Sequence, residues 1–360
     1  MAGAGSKGIG CSPRGCPRVI GIPEKAKMTG RLISVVVIGL DEEQHLRGSL
    51  DSVFAACPAG DELEVIYVDS GSRDRSLEIA GSFPSVRVVE LGDPEPSASK
   101  GRNAGIRVAR GEWLQLLDGD SLLDPGWLTK ALPRLEEQAG IACVFGRCEE
   151  VRPRQSLYMR VCQFDWSIPP GDYRLCGGNA LWRREAILRA GGFDPELVVG
   201  EEPDLCYRVR QQGGRIVCLD LPMVRHDLDM NSFGDYWRRA ARSGRGYVQI
   251  GLRFRRGEEK LWLRETVRNF LEPFIWLALL VAGFLLGGVA GALGLLAAYL
   301  VFQVVRVAWR ARKREGGVTD PLLYGVHCLF SRIPLFCGQL QGLPRAWRER
   351  NRGGRADGPG

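Results

Sequence analysis

This 360-residue chain has scattered cysteines and very little histidine. Its 11 cysteines include no Cys-x-x-Cys pair, and none has the Cys/His spacing that is typical of a zinc site. An odd number of cysteines without a disulfide framework indicates reduced thiols in the cytosol. We therefore expect no metal or redox function for Cys11 and Cys16, the two cysteines nearest the beginning of the chain.

The first 28 residues lack hydrophobic periodicity and the apolar core of a secretory signal. They are rich in glycine, proline, serine and lysine, so we predict a disordered leader over residues 1–28. Met28 stands just before the first predicted strand, and we hypothesise that it is the true start. Mass spectrometry of the N-terminus would refute this hypothesis by detecting residues 1–27.

Residues 1–305 carry no net charge, although the whole chain has a formal charge of +7. The stretch from Arg306 to the end contains 11 basic and 4 acidic residues. A basic surplus confined to the tail favours an anionic membrane surface as the partner. It disfavours nucleic acid, which requires a basic groove within the folded domain.

The segment Pro273–Val305 contains no charged residue and no histidine. A straight helix of that length would span roughly 50 Å, more than the ~30 Å hydrocarbon core of a bilayer. Because Gly287-Gly288 lies near the middle and both flanks are basic, we predict two short spans with both flanks in the cytoplasm. A shallow re-entrant hairpin and a buried pair of core helices are the alternatives.

This pattern divides the C-terminal part of the chain into two regions. We assign residues 257–314 to a membrane hairpin with basic flanks. We assign residues 315–360 to an amphipathic interfacial segment and a basic tail. The chain is accordingly expected at the cell inner membrane, with its preceding domain, residues 29–256, in the cytoplasm.

Residues 29–256 alternate strand and helix patterns. Four segments are predicted to be strands: Leu32–Leu40, Glu64–Val68, Val86–Glu90 and Trp113–Leu117. The first is a β-branched run without polar alternation, which is typical of a strand buried on both faces, and the second is also predicted to be buried. Strands that alternate with helices predict an α/β fold with a mainly parallel, doubly wound sheet. In such sheets ligands bind beyond the carboxyl ends of the strands, where Asp41, Asp69, Asp118 and Asp120 are predicted to lie.

Asp118-Gly119-Asp120 follows the fourth predicted strand directly. Two carboxylates at the end of a buried strand repel each other, and each is costly to desolvate alone. A divalent cation relieves both problems, and oxygen ligands suit Mg²⁺ or Mn²⁺. Such a cation would in turn hold the phosphates of a nucleotide. Asp-x-Asp alone is a weak signal, and its interpretation depends on the motifs around it.

Several motifs occur here in one order. They are Ser34–Glu43 (SVVVIGLDEE), Val68–Asp74 (VDSGSRD), Lys100–Gly105 (KGRNAG), Leu117–Asp120 (LDGD), Gly177–Asn179 (GGN), Gly191–Asp194 (GGFD) and Gly200–Leu205 (GEEPDL). Over about residues 31–230 the chain resembles the family 2 glycosyltransferases with the GT-A fold, a Rossmann-like α/β fold. The resemblance implies transfer of a sugar from a nucleotide-sugar, usually with inversion, using Mg²⁺ or Mn²⁺. The basic, membrane-anchored C-terminus is similar to that of bacterial members that build exopolysaccharides and other surface glycans.

The resemblance also implies roles for four residues that bind the donor, a UDP- or GDP-sugar. Asp69 resembles the carboxylate that accepts a hydrogen bond from the base, although it could instead cap the next helical turn. Glu42 matches an acidic position near the base and ribose, or it caps the helix over 43–56. Arg102 fits a contact to the nucleotide or diphosphate, or it lies on a solvated face. Asp118 is placed toward the ribose or the metal.

The metal ligands implied by the resemblance are Asp120 first and Asp118 second. His226 occupies a place where some GT-A enzymes supply a further metal ligand, although an ordinary structural histidine fits the sequence as well. We assign no role to His45 or His327.

An inverting transfer requires a base that takes the proton of the acceptor hydroxyl. The family usually places Glu-Asp there, whereas this chain has Glu201-Glu202. The resemblance implies that Glu202 is the base, with Glu201 or Asp204 as alternatives. The acidic residues could instead simply stabilise a helix N-terminus.

The Gln-x-x-Arg-Trp signature of processive synthases is absent, which favours a single transfer per encounter. Arg239, Arg242 and Arg245 stand in its place and could bind an acceptor phosphate or membrane lipid. The leading hypothesis is metal-dependent transfer to a lipid-linked or nascent surface glycan. A non-catalytic nucleotide-binding scaffold protein is one alternative. A nucleotidyltransferase of similar topology is another, but Ile38–Glu43 lacks the Gly-rich basic loop that it needs.

Overall fold

The computed structural model describes residues 30–166, 168–312 and 320–352. The predicted leader, with Cys11, Cys16 and Met28, lies outside the described residues. So do residues 313–319, in the predicted basic flank of the hairpin, and residues 353–360 of the predicted tail.

The first part of the domain alternates strands and helices, as the sequence predicts. Its elements are β1 (Leu32–Gly39), α1 (Leu46–Ala55), β2 (Glu62–Asp69), α2 (Ser76–Gly81), β3 (Val86–Glu90), α3 (Ala98–Val108) and β4 (Trp113–Asp118). All four predicted strands are confirmed. The predicted first helix begins late, because residues 41–45 form the turn that leads from β1 into α1.

The second part is less regular, and the sequence did not predict all of its elements. It consists of β5 (Ser121–Leu123), α4 (Trp127–Glu137), β6 (Ile141–Glu150), α5 (Leu157–Trp166), β7 (Gly171–Tyr173), β8 (Ala180–Arg183), α6 (Arg184–Arg189), α7 (Glu201–Gln211) and β9 (Arg215–His226). A short strand, β8, separates the Gly177–Asn179 motif from α6. Helix α5 lies in a segment whose sequence shows no clear periodicity.

The nine strands form one mixed sheet. Its strand order is β3-β2-β1-β4-β8-β6-β9-β5, and β7 pairs with β9. The pairs β3-β2, β2-β1, β1-β4 and β6-β9 are parallel, while β8, β5 and β7 run antiparallel to their neighbours. The expected parallel sheet is therefore confirmed in its first half.

The register of β1 brings the predicted acidic residues to one edge of the sheet. Gly39 pairs with Asp69 on β2, and Ile38 pairs with Asp118 on β4. Helix α3 packs closely on these strands, where a Cβ on Gly105 would lie 2.3 Å from Cγ1 of Val36, in the middle of β1. Only glycine fits this approach, and the close contact fixes α3 against the sheet.

Four helices follow the sheet: α8 (Phe233–Arg253), α9 (Leu263–Arg312), α10 (Pro321–Phe330) and α11 (Arg332–Arg352). The backbone of α9 is non-helical at Gly287 and at Gly288, whose φ is +60°. The two halves lie against each other, since a Cβ on Gly283 would meet the carbonyl oxygen of Gly291 at 2.5 Å. The predicted reversal at the glycines is confirmed.

The apolar side chains of this hairpin are exposed. Leu285 is 80% and Leu286 is 85% exposed, and only 6% of the most apolar window is buried. The alternative of a buried pair of core helices is therefore wrong. By length and composition, α9 is a candidate to enter a membrane.

Helix α11 packs tightly on α8. A Cβ on Gly338 would lie 1.9 Å from the carbonyl oxygen of Ala241, so the two backbones are in contact. The beginning of α9 joins the same bundle, because Oγ1 of Thr266 donates a hydrogen bond to the carbonyl oxygen of Tyr247. These contacts cross the predicted domain boundary at residue 256. The boundary itself and the interfacial role of residues 315–360 stay predictions.

Candidate functional site

An open cleft of about 970 Å³ lies at the carboxyl ends of β1 and β4. Seven of the nine sequence-predicted site residues line it. These seven are Glu42, Arg102, Asp118, Asp120, Glu201, Glu202 and His226. Asp69 and Asp204 are not among the lining residues.

Asp118, Asp120 and His226 form a compact group in this cleft. Asp118 ends β4, and the pairing of Ser121 with His226 in the β5-β9 ladder brings the end of β9 beside Asp120. Nε2 of His226 lies 3.2 Å from Oδ2 of Asp120. One ligand atom from each of the three residues lies within 4.8 Å of the others. Two carboxylates and one imidazole are a ligand set that fits a divalent cation.

The charges of these side chains affect one another. Burial opposes the charged form of His226, but the hydrogen bond and charge of Asp120 raise its pKa. Burial likewise opposes ionisation of Asp120, yet the hydrogen bond from His226 lowers the pKa of its carboxyl. Burial, together with the charges of Asp120 and Asp118, raises the pKa of Glu42 to about 7. A cation bound here would offset this repulsion between carboxylates.

Asn179 fixes the backbone of the Asp-Gly-Asp turn. Its Oδ1 accepts a hydrogen bond from the backbone N–H of Asp118 at 2.8 Å, and its Nδ2 donates to Oγ of Ser121 at 3.1 Å. Asn179 comes from the loop before β8, the strand that lies next to β4. The sequence marked this loop as a motif but did not show what its asparagine contacts.

Arg102 contacts three of the site's carboxylates. Its Nη2 donates to Asp118 at 2.9 Å, and its Nη1 lies 3.0 Å from Glu202 and 3.3 Å from Glu201. Its burial opposes the charge, but the three carboxylates raise the pKa of the guanidinium. With 3% exposure Arg102 is not on a solvated face, so that alternative is wrong. Its contact with the nucleotide stays a prediction.

The acidic pair begins α7, immediately after Gly200, whose φ is +90°. Glu202 is partly exposed to the cleft, with 21% of its side chain accessible, whereas 6% of the Glu201 side chain is accessible. Burial and the neighbouring Glu202 raise the pKa of Glu201 to about 7. Glu202 is thus the more accessible carboxylate of the pair.

Asp204 does not fit the role of base that was considered for it. Its side chain is fully buried, and Oδ2 lies 2.6 Å from Nη2 of Arg208. Oδ1 lies 3.0 Å from Nε of Arg253. Because both oxygens face arginines away from the cleft lining, Asp204 stabilises the fold around α7, and the expectation of a catalytic role is wrong.

Asp69 and Glu42 have local roles that bear on their predicted contacts. Asp69 is 1% exposed, and its Oδ2 accepts hydrogen bonds from the backbone N–H groups of Gly71 and Ser72. This supports the turn-capping alternative, and a contact with the base stays a prediction. Glu42 lines the cleft, and α1 has no side-chain cap, so helix capping by Glu42 is wrong.

The aromatic residue beside His226 was not found by sequence reasoning. The ring of Trp166, at the end of α5, lies 5.6 Å from the ring of His226 and lines the cleft beside it. The only available signal was the aromatic character of the segment before Leu175, which showed no clear periodicity.

Comparisons with known proteins identify the family of the chain. Residues 34–187 match Glycosyl transferase family 2. An uncharacterized glycosyltransferase of Mycobacterium tuberculosis is 30% identical over 208 residues, which are 54% of this chain and 86% of that protein. The probable glycosyltransferase YdaM of Bacillus subtilis is 24% identical, over 62% of this chain and only 56% of YdaM.

Among solved structures, the mannosyltransferase PcManGT from Pyrobaculum calidifontis, in complex with GDP-Man and Mn²⁺, is similar with a TM-score of 0.58. The match covers 87% of each chain at 18% identity. At that identity the likeness shows the fold, and the expected GT-A fold is confirmed. Sequence, fold and site together show that this chain belongs to the family 2 glycosyltransferases.

Proposed function

We propose that the chain transfers a sugar from a nucleotide-sugar with the help of a divalent cation, Mg²⁺ or Mn²⁺, held by Asp118, Asp120 and His226. The observation that carries this proposal is the convergence of these three side chains within one open cleft. The mannosyltransferase with a similar fold was solved with GDP-Man and Mn²⁺, which supports a UDP- or GDP-sugar as the donor.

The chain's own residues would divide the work of the reaction. When bound, the cation supplies positive charge that stabilises the departing diphosphate. Asp118 is oriented by Arg102 and Asn179 before any ligand arrives, so the ligand set is preorganised. Glu42 lines the same cleft, where it would contact the base and ribose.

Glu202 is the proposed general base of an inverting transfer. It lines the cleft, and its Oε1 lies 3.0 Å from the same guanidinium that binds Asp118. A hydroxyl that attacks the sugar from the side opposite the diphosphate would give its proton to this carboxylate. Glu201 is more buried than Glu202. Its ion pair with Arg102 would help to hold this guanidinium, and with it the carboxylate of Glu202, in position.

The proposed acceptor is a lipid-linked or nascent surface glycan at the cytoplasmic face of the inner membrane, and each encounter transfers one sugar. The exposed apolar hairpin supports this proposal because it would hold the cleft close to a bilayer. The absence of the processive signature supports a single transfer.

A screen of donor hydrolysis tests the proposed function. The purified chain is incubated with UDP- and GDP-sugars, with and without Mn²⁺, and release of the nucleoside diphosphate is measured. We expect slow hydrolysis of one donor that depends on the metal and is lost in Asp120→Ala. Hydrolysis that proceeds equally without any divalent cation would contradict the metal-dependent mechanism.

A further inference from the structure

A second cavity lies between the beginning of the hairpin and the helices that follow the sheet. Its volume is about 250 Å³, and residues of α5, α8, α9, α10 and α11 line it. The cavity therefore opens where the exposed apolar hairpin joins the catalytic domain.

The lining of this cavity is basic. It contains the guanidinium groups of Arg239, Arg268 and Arg332, and no Asp or Glu is among the lining residues. In the described part of the chain, no carboxylate oxygen lies within 4.0 Å of Arg239 or Arg268. Burial and the neighbouring Arg268 lower the pKa of Arg332. The charge of Glu272 offsets part of this effect on Arg332, but Glu272 does not line the cavity. The excess of positive charge in the lining favours an anion.

A buried donor points to the same ligand. Asn269 lines the cavity and is 1% exposed, and its Oδ1 accepts a 2.6 Å hydrogen bond from Nη1 of Arg332. Its Nδ2 has no hydrogen-bond partner among the described residues. A buried N–H group without a partner is costly, and an anionic oxygen in the cavity would satisfy it.

We propose that this cavity binds the phosphate group of a membrane lipid. Two or three guanidinium groups with an amide donor match phosphate oxygens. A lipid fits better than a free phosphate because the apolar side chains of the hairpin begin one turn beyond Asn269. Phe274 and Leu277 there are 51% and 58% exposed and would contact the lipid chain.

Arg239 connects this cavity with the catalytic cleft, because it lines both. A lipid whose phosphate occupies the cavity would therefore present its head group towards Glu202. That link to transfer rests on the proposed function, whereas the lipid binding does not. The acceptor class it specifies is a lipid phosphate, or a glycan attached to one.

The test measures binding of dodecyl phosphate to the full chain in maltoside micelles by ³¹P NMR. The variant is Arg268→Gln, and the matched control is Arg264→Gln, an exposed arginine of the same helix that does not line the cavity. We expect dodecyl phosphate to bind about tenfold or more weakly to Arg268→Gln, as the loss of one charge-assisted contact predicts. The control should bind it like the unaltered chain.

Equal affinity of Arg268→Gln and the unaltered chain would overturn the proposal, as would inorganic phosphate that binds as tightly as dodecyl phosphate. Competition by phosphatidylglycerol vesicles identifies the source of the phosphate. If the vesicles displace dodecyl phosphate at equal concentration, the bound lipid is a bulk phospholipid. If they do not displace it, the bound lipid is a phosphomonoester acceptor. Either result supports binding of a lipid phosphate. Donor hydrolysis is measured in parallel. If the proposed function is wrong, no donor is hydrolysed, whether or not dodecyl phosphate binds.

Discussion

At the scale of single residues, the site depends most on Arg102, which joins Asp118, a proposed metal ligand, to the acidic pair. All three carboxylates lie within 3.3 Å of its terminal nitrogens. The guanidinium is 3% exposed, so water cannot replace it. Its removal would leave Glu201 buried and unpaired, and it would leave Asp118 and Glu202 without their counter-charge.

We expect Arg102→Met to lower the free energy of unfolding by about 3–5 kcal/mol, the usual effect of breaking a buried ion pair from one side. Denaturant unfolding in detergent measures this difference. Arg107→Met is the control, because Arg107 is exposed on the same helix. A change of less than about 0.5 kcal/mol in both variants would show that Arg102 does not hold the carboxylates together.

The assignment of Glu202 as the base predicts a selective loss of rate. In Glu202→Gln, turnover should fall on the order of 10²–10⁴-fold while donor binding is kept, because an amide cannot accept the acceptor's proton. Steady-state kinetics with a lipid-linked acceptor measures the change, and Glu196→Gln, on the exposed loop before α7, is the control. Normal turnover in Glu202→Gln would exclude this role.

Glu201 predicts a pH dependence of stability. Its pKa is about 7 in the folded chain against an ordinary value of 4.5, so the folded state binds more protons between these values. The free energy of unfolding should therefore fall as the pH rises from 4.5 to 7, by about 1.4 kcal/mol for each unit between the two pKa values. Glu201→Gln should remove this part of the dependence.

Unfolding by urea at pH 5, 6, 7 and 8 tests this linkage. The curve of Glu201→Gln should be flatter than that of the unaltered chain across the interval. Two parallel curves would mean that Glu201 ionises in the folded state as it does in water.

Most of the residues that line the site could be predicted from the sequence, because acidic residues that directly follow strand patterns must lie at one edge of a parallel sheet. What the sequence could not supply was the partner of each side chain. Asp69 is bonded to its own turn and Asp204 faces Arg208, and these contacts depend on how distant segments pack. Trp166 was missed for the same reason, because nothing in the sequence around it indicates that its ring packs beside His226.

At the scale of elements, prediction succeeded where hydrophobic patterns are uniform. Strands β1, β2 and β4 are buried on both faces over most of their length and therefore appear as apolar runs. Strand β9 was not predicted, because its buried residues alternate irregularly with polar ones and its pairing with β6 contains bulges. The hairpin was predictable because two adjacent glycines interrupt a long uncharged segment.

The contact between α8 and α11 predicts the effect of a single methyl group. In Gly338→Ala, the new Cβ would lie 1.9 Å from the carbonyl oxygen of Ala241, so α11 must move away from α8. Overpacking of this kind costs about 1–3 kcal/mol, which should raise the hydrogen-exchange rates of α11 roughly tenfold. Gly294→Ala, where no atom lies within 4 Å of the added Cβ, should leave the rates unchanged.

Mass spectrometry of deuterium uptake in α11 measures this change. Unchanged protection in Gly338→Ala would mean that α11 does not pack on α8 through backbone contact. The interfacial role predicted for residues 315–360 would then be the better account of this helix.

At the scale of the whole molecule, the exposed hairpin, the basic cavity and the catalytic cleft adjoin one another in that order. Arg239 lines both the cavity and the cleft. The packing of α8, α9 and α11 joins the hairpin to the domain that carries Glu202. Such an arrangement suits an enzyme that takes its donor from water and its acceptor from a membrane.

The account rests on the convergence of Asp118, Asp120 and His226 on one metal-assisted diphosphate site. Calorimetric titration with GDP and UDP, with and without Mn²⁺, tests this convergence most directly. The titrated proteins are the unaltered chain, Asp120→Ala and the control Asp51→Ala, since Asp51 is an exposed residue of α1. We predict binding of one diphosphate that requires Mn²⁺, is about tenfold or more weaker in Asp120→Ala, and is unchanged in Asp51→Ala. Binding that is equally tight without metal, or unaffected by Asp120→Ala, would contradict the account.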